Sequence, residues 1–425
     1  MNKLQIISSF ISQRYLKKFK SRKKLERYQA KKLIKHLEYT KRNSDYFKEK
    51  CFSAKKLEEF PIMDKNIMME NFDRMNTVNI SRDEALEIAM NGEKTRDFSQ
   101  KCNGVSVGLS SGTSGHRGLF IISDKETAKW VGTILAKNLP KKIFGHRIAF
   151  FLRADNNLYE SISSKFIKFK YFDIYKDMKK NLLELNDYKP SILVAPPSVL
   201  LQIAEAMEKN VISINPLKII SVAEVLEKSD EEYFKKVFKK ETIFQIYQCT
   251  EGFLGYVCPH GTFHLNEDMV YVEKEYIDDK RFIPIITDFE RKSQPIIRYR
   301  LNDILVEKKE KCKCGSSIMA IEKIEGRDDD IFIFDGIDNC EVKVFSDFIR
   351  RCMIFTDGIN NYTVIQKAKN KIIIQMSDIS EDKKQKIIYE FKNLAKDMKF
   401  ILPKIEFEEY CYNNTKKLKR VERMF

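Results

Sequence analysis

Glycine, proline and tryptophan are scarce in this chain, and acids are outnumbered by bases. Only 15 Gly, 10 Pro and a single Trp occur among 425 residues. So little Gly and Pro excludes a low-complexity or linker-like chain over most of the length. An uninterrupted apolar run is also missing at the start. Met1 to Phe19 is broken by Arg14, Lys17 and Lys18 before the ~20 apolar residues of a membrane span could accumulate. The nine cysteines are scattered and odd in number. That pattern argues against a disulfide framework and for reduced thiols or metal ligands, so a cytoplasmic protein is expected. With 61 Asp and Glu against 77 Lys and Arg, the net charge is +16. Such a balance favours anionic partners: nucleotides, CoA-like molecules, anionic lipid surfaces or nucleic acid.

What is present is a globular composition, 43% hydrophobic and 32% charged. The length allows a substantial core and more than one domain. From Lys3 to Lys35 there are twelve Lys or Arg and one acid, Glu26. Leu4, Ile7, Ile11 and Tyr15 share one helical face there. Such a helix can pack with a solvated basic face or lie on an anionic membrane surface.

Residues from about Leu25 to Lys50 read as helical, Phe60-Pro61 breaks the pattern, and Asp64 caps a further helix through Met68-Met69. Strand-like runs then appear at Val105–Leu109, Ile148–Leu152, Ile192–Ala195, Ile219–Ala223 and Thr242–Tyr247. Helical stretches such as Ser198 to Lys209 and Asp230 to Lys239 separate them. This alternation predicts an α/β fold with a largely parallel sheet. After Val257 the chain is more β-rich. A boundary is expected just after Arg327, giving a large multi-layer N-terminal domain (1–327) and a small α+β C-terminal domain (328–425) that includes the strand-like Lys371–Gln375.

The most specific segment is Leu109 to Gly118. Ser110, Ser111, Gly112, Thr113, Ser114 and Gly115 follow a strand. Glycines permit close backbone approach, and N–H groups with hydroxyls can surround phosphate oxygens. No Gly-Lys-Ser/Thr follows, so this is not a P-loop.

This segment resembles the ATP loop of the adenylate-forming superfamily, which includes acyl-CoA synthetases and peptide adenylation domains. Tyr247-Gln248-Cys249-Thr250-Glu251 resembles that superfamily's Tyr-Gly-x-Thr-Glu. Tyr299-Arg300-Leu301-Asn302-Asp303 is similar to its Tyr-Arg-Thr-Gly-Asp, Gly326 to Asp330 to its hinge, and Thr415 to Arg420 to its terminal Gly-Lys motif. Pro61 to Lys65, Asn71 to Asp73, Ala195 to Ser198, His264 to Asp268 and Ile297 to Arg300 are similar to the phenylacetate-CoA ligase branch and its coenzyme F390 synthetase-like and CapK-like members. There are departures. His116-Arg117 stands where relatives carry Pro-Lys, Gln248 replaces glycine, Leu301-Asn302 replaces Thr-Gly, and Lys416 replaces the glycine before Lys417.

The resemblance implies ATP-dependent activation of a small-molecule carboxylic acid as an acyl-AMP. It implies that Lys417, Thr250 and Glu251 are catalytic and that Glu251 holds Mg²⁺. Ser110 to Gly115, Tyr247, Asp303 and Arg327 would bind ATP. CoA is the implied acceptor; a carrier protein, an amine or a sugar are alternatives. Transfer of AMP to a hydroxyl, or a non-catalytic nucleotide-binding scaffold, are rival readings. A small C-terminal domain that rotates about Asp329 is also implied. No nucleic-acid-binding motif is recognisable, and Trp130, Phe150 and the segment around Ala195 are candidate walls for the acid.

A second constellation has metal-ligand chemistry. Cys312 and Cys314 sit one residue apart, with Cys258 and either His264 or His260 to complete a tetrahedral zinc site. The similar branch often carries this pattern. Four protein ligands leave no open position, so the zinc expected is structural.

Overall fold

The computed structural model describes residues 3–110, 118–152, 167–354, 361–377, 379–410 and 419–425. These form two compact units: Met1–Leu301 with Val306–Lys323, and Asn302–Leu305 with Ile324–Phe425.

The larger unit begins with helices α1 (Lys3–Ile11) and α2 (Arg22–Asn43). The helical stretch expected over about Leu25 to Lys50 is present, interrupted once at Ser44. Ser44 takes an extended conformation (φ −112°, ψ 120°), and its hydroxyl accepts from Phe47 N to start α3 (Asp45–Lys50). Serine does this well because its short side chain reaches an otherwise unpaired N–H of the first turn. Asp64 caps α4 (Lys65–Glu70) through Ile67 N at 2.8 Å, as its position before the Met68-Met69 region predicts. Helices α5 (Phe72–Met75) and α6 (Arg82–Thr95) follow. A three-stranded antiparallel sheet then holds β1 (Lys101–Cys102), β2 (Val105–Leu109) and β3 (Leu119–Ser123).

Ser123 and Glu126 form a capping box at the start of α7 (Asp124–Asn138). The rest of the unit is built on a mixed sheet. Strands β4 (His146–Leu152), β5 (Ile167–Asp173), β6 (Ile192–Ala195), β7 (Lys218–Ser221) and β8 (Phe244–Cys249) pair in parallel in the order β5-β4-β6-β7-β8. Crossover helices α8 (Met178–Tyr188), α9 (Pro197–Glu208) and α10 (Lys228–Phe238) join them. Their apolar faces meet one sheet face in a core that includes Phe151, Phe172, Leu193, Leu200, Ile219 and Phe234. Parallel strands covered on both faces read as continuous apolar runs, which is why they were visible in the sequence.

The strands turn antiparallel at β9 (Gly252–Val257) and β10 (Phe263–Leu265). Strands β11 (Val270–Tyr276), β12 (Arg281–Asp288) and β13 (Ile296–Arg300) form an antiparallel group. Strands β14 (Asp303–Lys308) and β15 (Ala320–Arg327) complete the sheet.

The smaller unit has a hairpin of β16 (Phe332–Asp335) and β17 (Glu341–Val344), then α11 (Ser346–Ile354). Strands β18 (Tyr362–Ala368) and β19 (Lys371–Met376) pair antiparallel. Helix α12 (Glu381–Met398) precedes β20 (Lys404–Glu409), and β21 (Val421–Arg423) closes a four-stranded sheet ordered β20-β19-β18-β21. Its core includes Phe332, Phe334, Val364, Ile372, Ile374 and Phe391, with Phe334 stacked on Phe400 at 4.3 Å. The chain is thus α/β, with a large multi-sheet unit and a smaller α+β C-terminal one. No described helix is long and apolar enough to cross a membrane.

Candidate active site and metal centre

Ser111, Gly112, Thr113, Ser114 and Gly115 lie outside the described residues, and so does Lys417. The base of the loop is defined. Ser110 N donates to Gly118 O at 2.7 Å, and Gly118 N donates to Ser110 Oγ at 2.7 Å. This pair closes the end of the antiparallel β2–β3 ladder.

Thr250 and Glu251 occupy the tight turn between β8 and β9. Thr250 Oγ1 donates to Glu251 Oε2 at 2.9 Å. The buried Tyr299 hydroxyl also bonds the Glu251 carboxylate. Burial first, and then the Glu251 charge, push the Tyr299 phenol well above its ordinary range, so it stays a protonated donor. Two donors therefore orient one carboxylate. Arg291 ties this turn to the loop strand: Nη1 donates to Thr250 O at 3.1 Å and Nη2 to Ile121 O at 3.2 Å. Gln294 extends the tie, accepting from Ile121 N at 3.1 Å and donating to Leu119 O at 3.2 Å.

The segment Phe60 to Lys65 completes the cluster. Met63 N donates to Arg298 O at 2.9 Å and Arg300 N to Met63 O at 2.8 Å, which lays this segment beside β13 as a parallel bridge. The register aligns Met63 with Tyr299. Lys65 then reaches the loop base: a Cβ added to Gly118 would stand 3.2 Å from Lys65 Cε. Sequence reasoning assigned no role to Lys65, Arg291 or Gln294. Only the proximity of Lys65 to a motif-like Pro-Ile-Met-Asp-Lys run could have pointed to it. Tyr247 is buried at 6% exposure.

In the smaller unit Asp303 and Arg327 face each other, Arg327 Nε lying 3.6 Å from Asp303 Oδ1. Asn302 Nδ2 donates to Asp329 Oδ2 at 2.7 Å and Asp328 N to Asn302 O at 2.7 Å. Asp303, Arg327 and Asp329 are thereby grouped.

Between α7 and the strands lies a small cavity of about 40 Å³, lined by Trp130, Ile134, Asn138, Phe150, Phe169, Val194, Ile220 and Ile246 among others. Trp130 and Phe150 line this cavity, and from the segment around Ala195 it is Val194 that does so, because alternate strand residues face opposite sides. Asn138 is the sole amide in the lining; its Nδ2 donates to Ile134 O at 3.0 Å. Lys218 Nζ donates to Asn138 O at 2.7 Å, placing the end of α7 over the start of β7.

Cys258, His264, Cys312 and Cys314 present ligand atoms that all lie within 4.8 Å of one another. Cys258 and Cys312 sulfurs are 3.6 Å apart, and Cys314 Sγ is 3.5 Å from His264 Nε2. A tetrahedron of Zn–S bonds near 2.3 Å has edges of about 3.8 Å, so the donors fit a zinc ion. His264 Nδ1 faces Ile318 O at 3.2 Å, which fixes the tautomer that leaves Nε2 free to ligate. His260 is exposed and outside the group. Turns with positive φ at Gly261 (+75°) and Gly315 (+72°) build the two knuckles. Cys314 N and Ser316 N donate to the Cys312 and Cys314 sulfurs. Burial raises both thiols; at Cys312, bonds from Thr262, Cys314 N and His264 outweigh it and lower the thiol, whereas Cys314 rises.

No protein-family model matches the chain. A stretch of 139 residues is 29% identical to the indoleacetate–lysine synthetase of Pseudomonas savastanoi, covering 31% of this chain and 33% of that protein. Among solved structures, 2-hydroxyisobutyryl-CoA ligase bound to its acyl-AMP is similar over 94% of this chain and 88% of that one, with 14% identity and a TM-score of 0.66. The amide bond synthetase McbA of Marinactinospora thermotolerans is similar over 74% and 67%, with 10% identity and a TM-score of 0.53. Fatty acyl-adenylate ligases of E. coli and L. pneumophila are similar over 74% and 68%, with 12% identity and a TM-score of 0.52. At these identities the likeness is one of fold.

Proposed function

We propose that the chain activates a carboxylic acid with ATP, forming an acyl-AMP and releasing pyrophosphate. The observation that carries this reading is a convergence of three segments. The Thr250–Glu251 turn, the Ser110–Gly118 loop base and Lys65 are tied together through Arg291 and Tyr299. The similar solved structures include ligases captured with acyl-AMP.

In the reaction, a carboxylate oxygen attacks the α-phosphorus. The bond from that phosphorus to the β-bridging oxygen breaks, and pyrophosphate leaves. Ser110 to Gly115 would hold the triphosphate and Thr250 the α-phosphate region, while Asp303 and Arg327 contact the ribose and Tyr247 the adenine. Glu251, already oriented by Thr250 and Tyr299, is suited to Mg²⁺, a hard cation that neutralises triphosphate oxygens. Lys417 would stabilise charge developing at the transferring group. The apolar cavity beside α7 suits an acid with an uncharged apolar body, since a buried unpaired charge there would be costly.

The acyl group then passes to an acceptor. CoA is one candidate. An amine is the other, favoured by the match to a synthetase that joins indoleacetate to lysine. The zinc cluster serves the fold: four protein ligands leave no site for substrate.

The test is pyrophosphate release with ATP, Mg²⁺ and a panel of acids, with CoA or amines added in turn, in wild type and Lys417→Ala. Acid-dependent release abolished by the substitution supports the reading. ATP binding without release for any acid overturns it and leaves AMP transfer to a hydroxyl or a non-catalytic scaffold. Trp130 is the sole tryptophan and lines the cavity. Its fluorescence therefore reports acid binding without turnover.

A further inference from the structure

Helix α1 has two faces with different fates. One is locked onto α7. A Cβ on Gly132 would stand 2.5 Å from Ile6 O and 3.0 Å from Phe10 N, so the two backbones cross in direct contact. Ile6 is buried there with Ala128 and Val131, and Ser9 Oγ donates to Lys129 O at 2.8 Å. The turn after α1 is fixed as firmly: Arg14 donates to the carbonyls of Ala136, Leu139 and Pro140 at 2.7–2.8 Å.

The opposite face is apolar and exposed: Leu4 is 74% exposed, Ile7 53% and Ile11 46%, and in the turn that follows Tyr15 is 55% and Leu16 74% exposed. Single exposed apolar residues are ordinary, but a contiguous stripe on a rigidly held helix marks an interaction surface. Helix α1 cannot turn the stripe inward without losing the Gly132 crossing. Cations flank it. Lys3, Lys18 and Lys20 are exposed, and so are Lys141 and Lys142 in the turn that the Arg14 contact with Pro140 holds close by. Phe144, 54% exposed, adds another apolar group on that turn.

We infer that this face docks on an anionic lipid surface, with Leu4, Ile7, Ile11 and Tyr15 entering the headgroup boundary and the surrounding lysines meeting lipid charge. An apolar stripe rimmed by cations is what an interfacial helix requires. A second copy of the chain is the poorer fit, because a symmetric contact would bring the same lysines face to face. No residue of this face is assigned a part in acid activation, so the inference stands or falls independently of it.

The test is co-sedimentation of the full chain with phosphatidylcholine vesicles, with or without about one third phosphatidylglycerol, comparing wild type with the surface variants Ile7→Ser/Ile11→Ser and Lys141→Glu/Lys142→Glu. Expected are binding to the anionic vesicles only, weakened about tenfold by either double variant and reduced several-fold by raised salt, with melting temperatures unchanged. No binding to anionic vesicles, or binding that neither variant alters, overturns the inference. So does a wild-type dimer, or an acidic protein partner, that the Ile7→Ser/Ile11→Ser variant releases while lipid binding is absent.

Discussion

Cys258 and Cys312 hold their sulfurs 3.6 Å apart although 54 residues separate them. Strand β10 lies between β9 and β15, and this brings the turn after Cys258 beside the Cys312–Gly315 knuckle. His264 sits on β10 itself, paired with Tyr256 and Ala320. The cluster therefore cross-links three segments of one sheet. One equivalent of zinc per chain is expected by metal analysis. Cys312→Ser and His264→Gln should each lose it and lower the melting temperature by several degrees or more, because binding energy at a structural site is folding energy. A chelator should do the same to wild type. Zinc-free protein of undiminished stability would refute the assignment.

Glu251→Gln keeps the shape of the turn but removes the charge suited to Mg²⁺. Pyrophosphate release should fall about a hundredfold, with far-ultraviolet circular dichroism unchanged. Tyr299→Phe removes a donor to the same carboxylate and should cost less, roughly tenfold. Equal activity in both variants and wild type would remove Glu251 from the site.

Lys65 lies beside Gly118 at the loop base, and its expected role is to meet the triphosphate. Lys65→Met should raise the KM for ATP with little change in the affinity for the acid. An unchanged KM would leave Lys65 a packing residue.

Lys218 is buried with its ammonium over the Phe244 ring, 3.8 Å from the centroid. Burial first, and then Arg14, lower it from 10.5 to about 7. Below pH 7 both folded and unfolded states carry the proton, and the folded state bears the full penalty. Between pH 7 and 10.5 the unfolded state binds more protons, so stability rises with pH and the penalty fades. A shift of this size corresponds to a penalty on the order of 5 kcal/mol. Lys218→Met should raise stability to denaturant, most at pH 6 and least near pH 10. Asn138 O, left without its donor, should offset part of the gain.

His36 on α2 is buried, and neither ring nitrogen has a hydrogen-bond partner among the described residues. Burial lowers it to about 4. The unfolded state therefore takes up a proton between pH 6.5 and 4 that the folded state refuses, and wild type loses stability on acidification through that window. His36→Leu should flatten this dependence. Matching urea midpoints at pH 7 and pH 5 in the variant, with a falling midpoint in wild type, would show it.

Much of this molecule was written locally. The parallel strands β4, β6, β7 and β8 were legible because both faces of such a sheet are covered, so they carry short, mostly apolar runs. Asp64 as a cap was equally plain, since a cap is decided by neighbours within four residues. The interruption of the helical stretch at Ser44 is not visible in the periodicity, which continues across it; only the Phe47 N–H bond to the hydroxyl reveals the break.

The sequence by itself determined which chemistries were available: thiols and an imidazole for a metal, a hydroxyl and carboxylate at one turn, a basic start with an apolar stripe. Tertiary structure decided which of them meet. It selected His264 over His260, because β10 faces His264 toward the cysteines and the Ile318 carbonyl fixes its tautomer. It brought Lys65 to the loop base and Arg291 between Thr250 and Ile121, contacts that span 53 and 170 residues. It also turned the Leu4–Ile11 stripe outward, because Gly132 lets α7 take the other face of α1. Local rules act over a few residues through caps, turns and periodicity. Which distant segments become neighbours depends on how the sheet is ordered, and no local pattern encodes that.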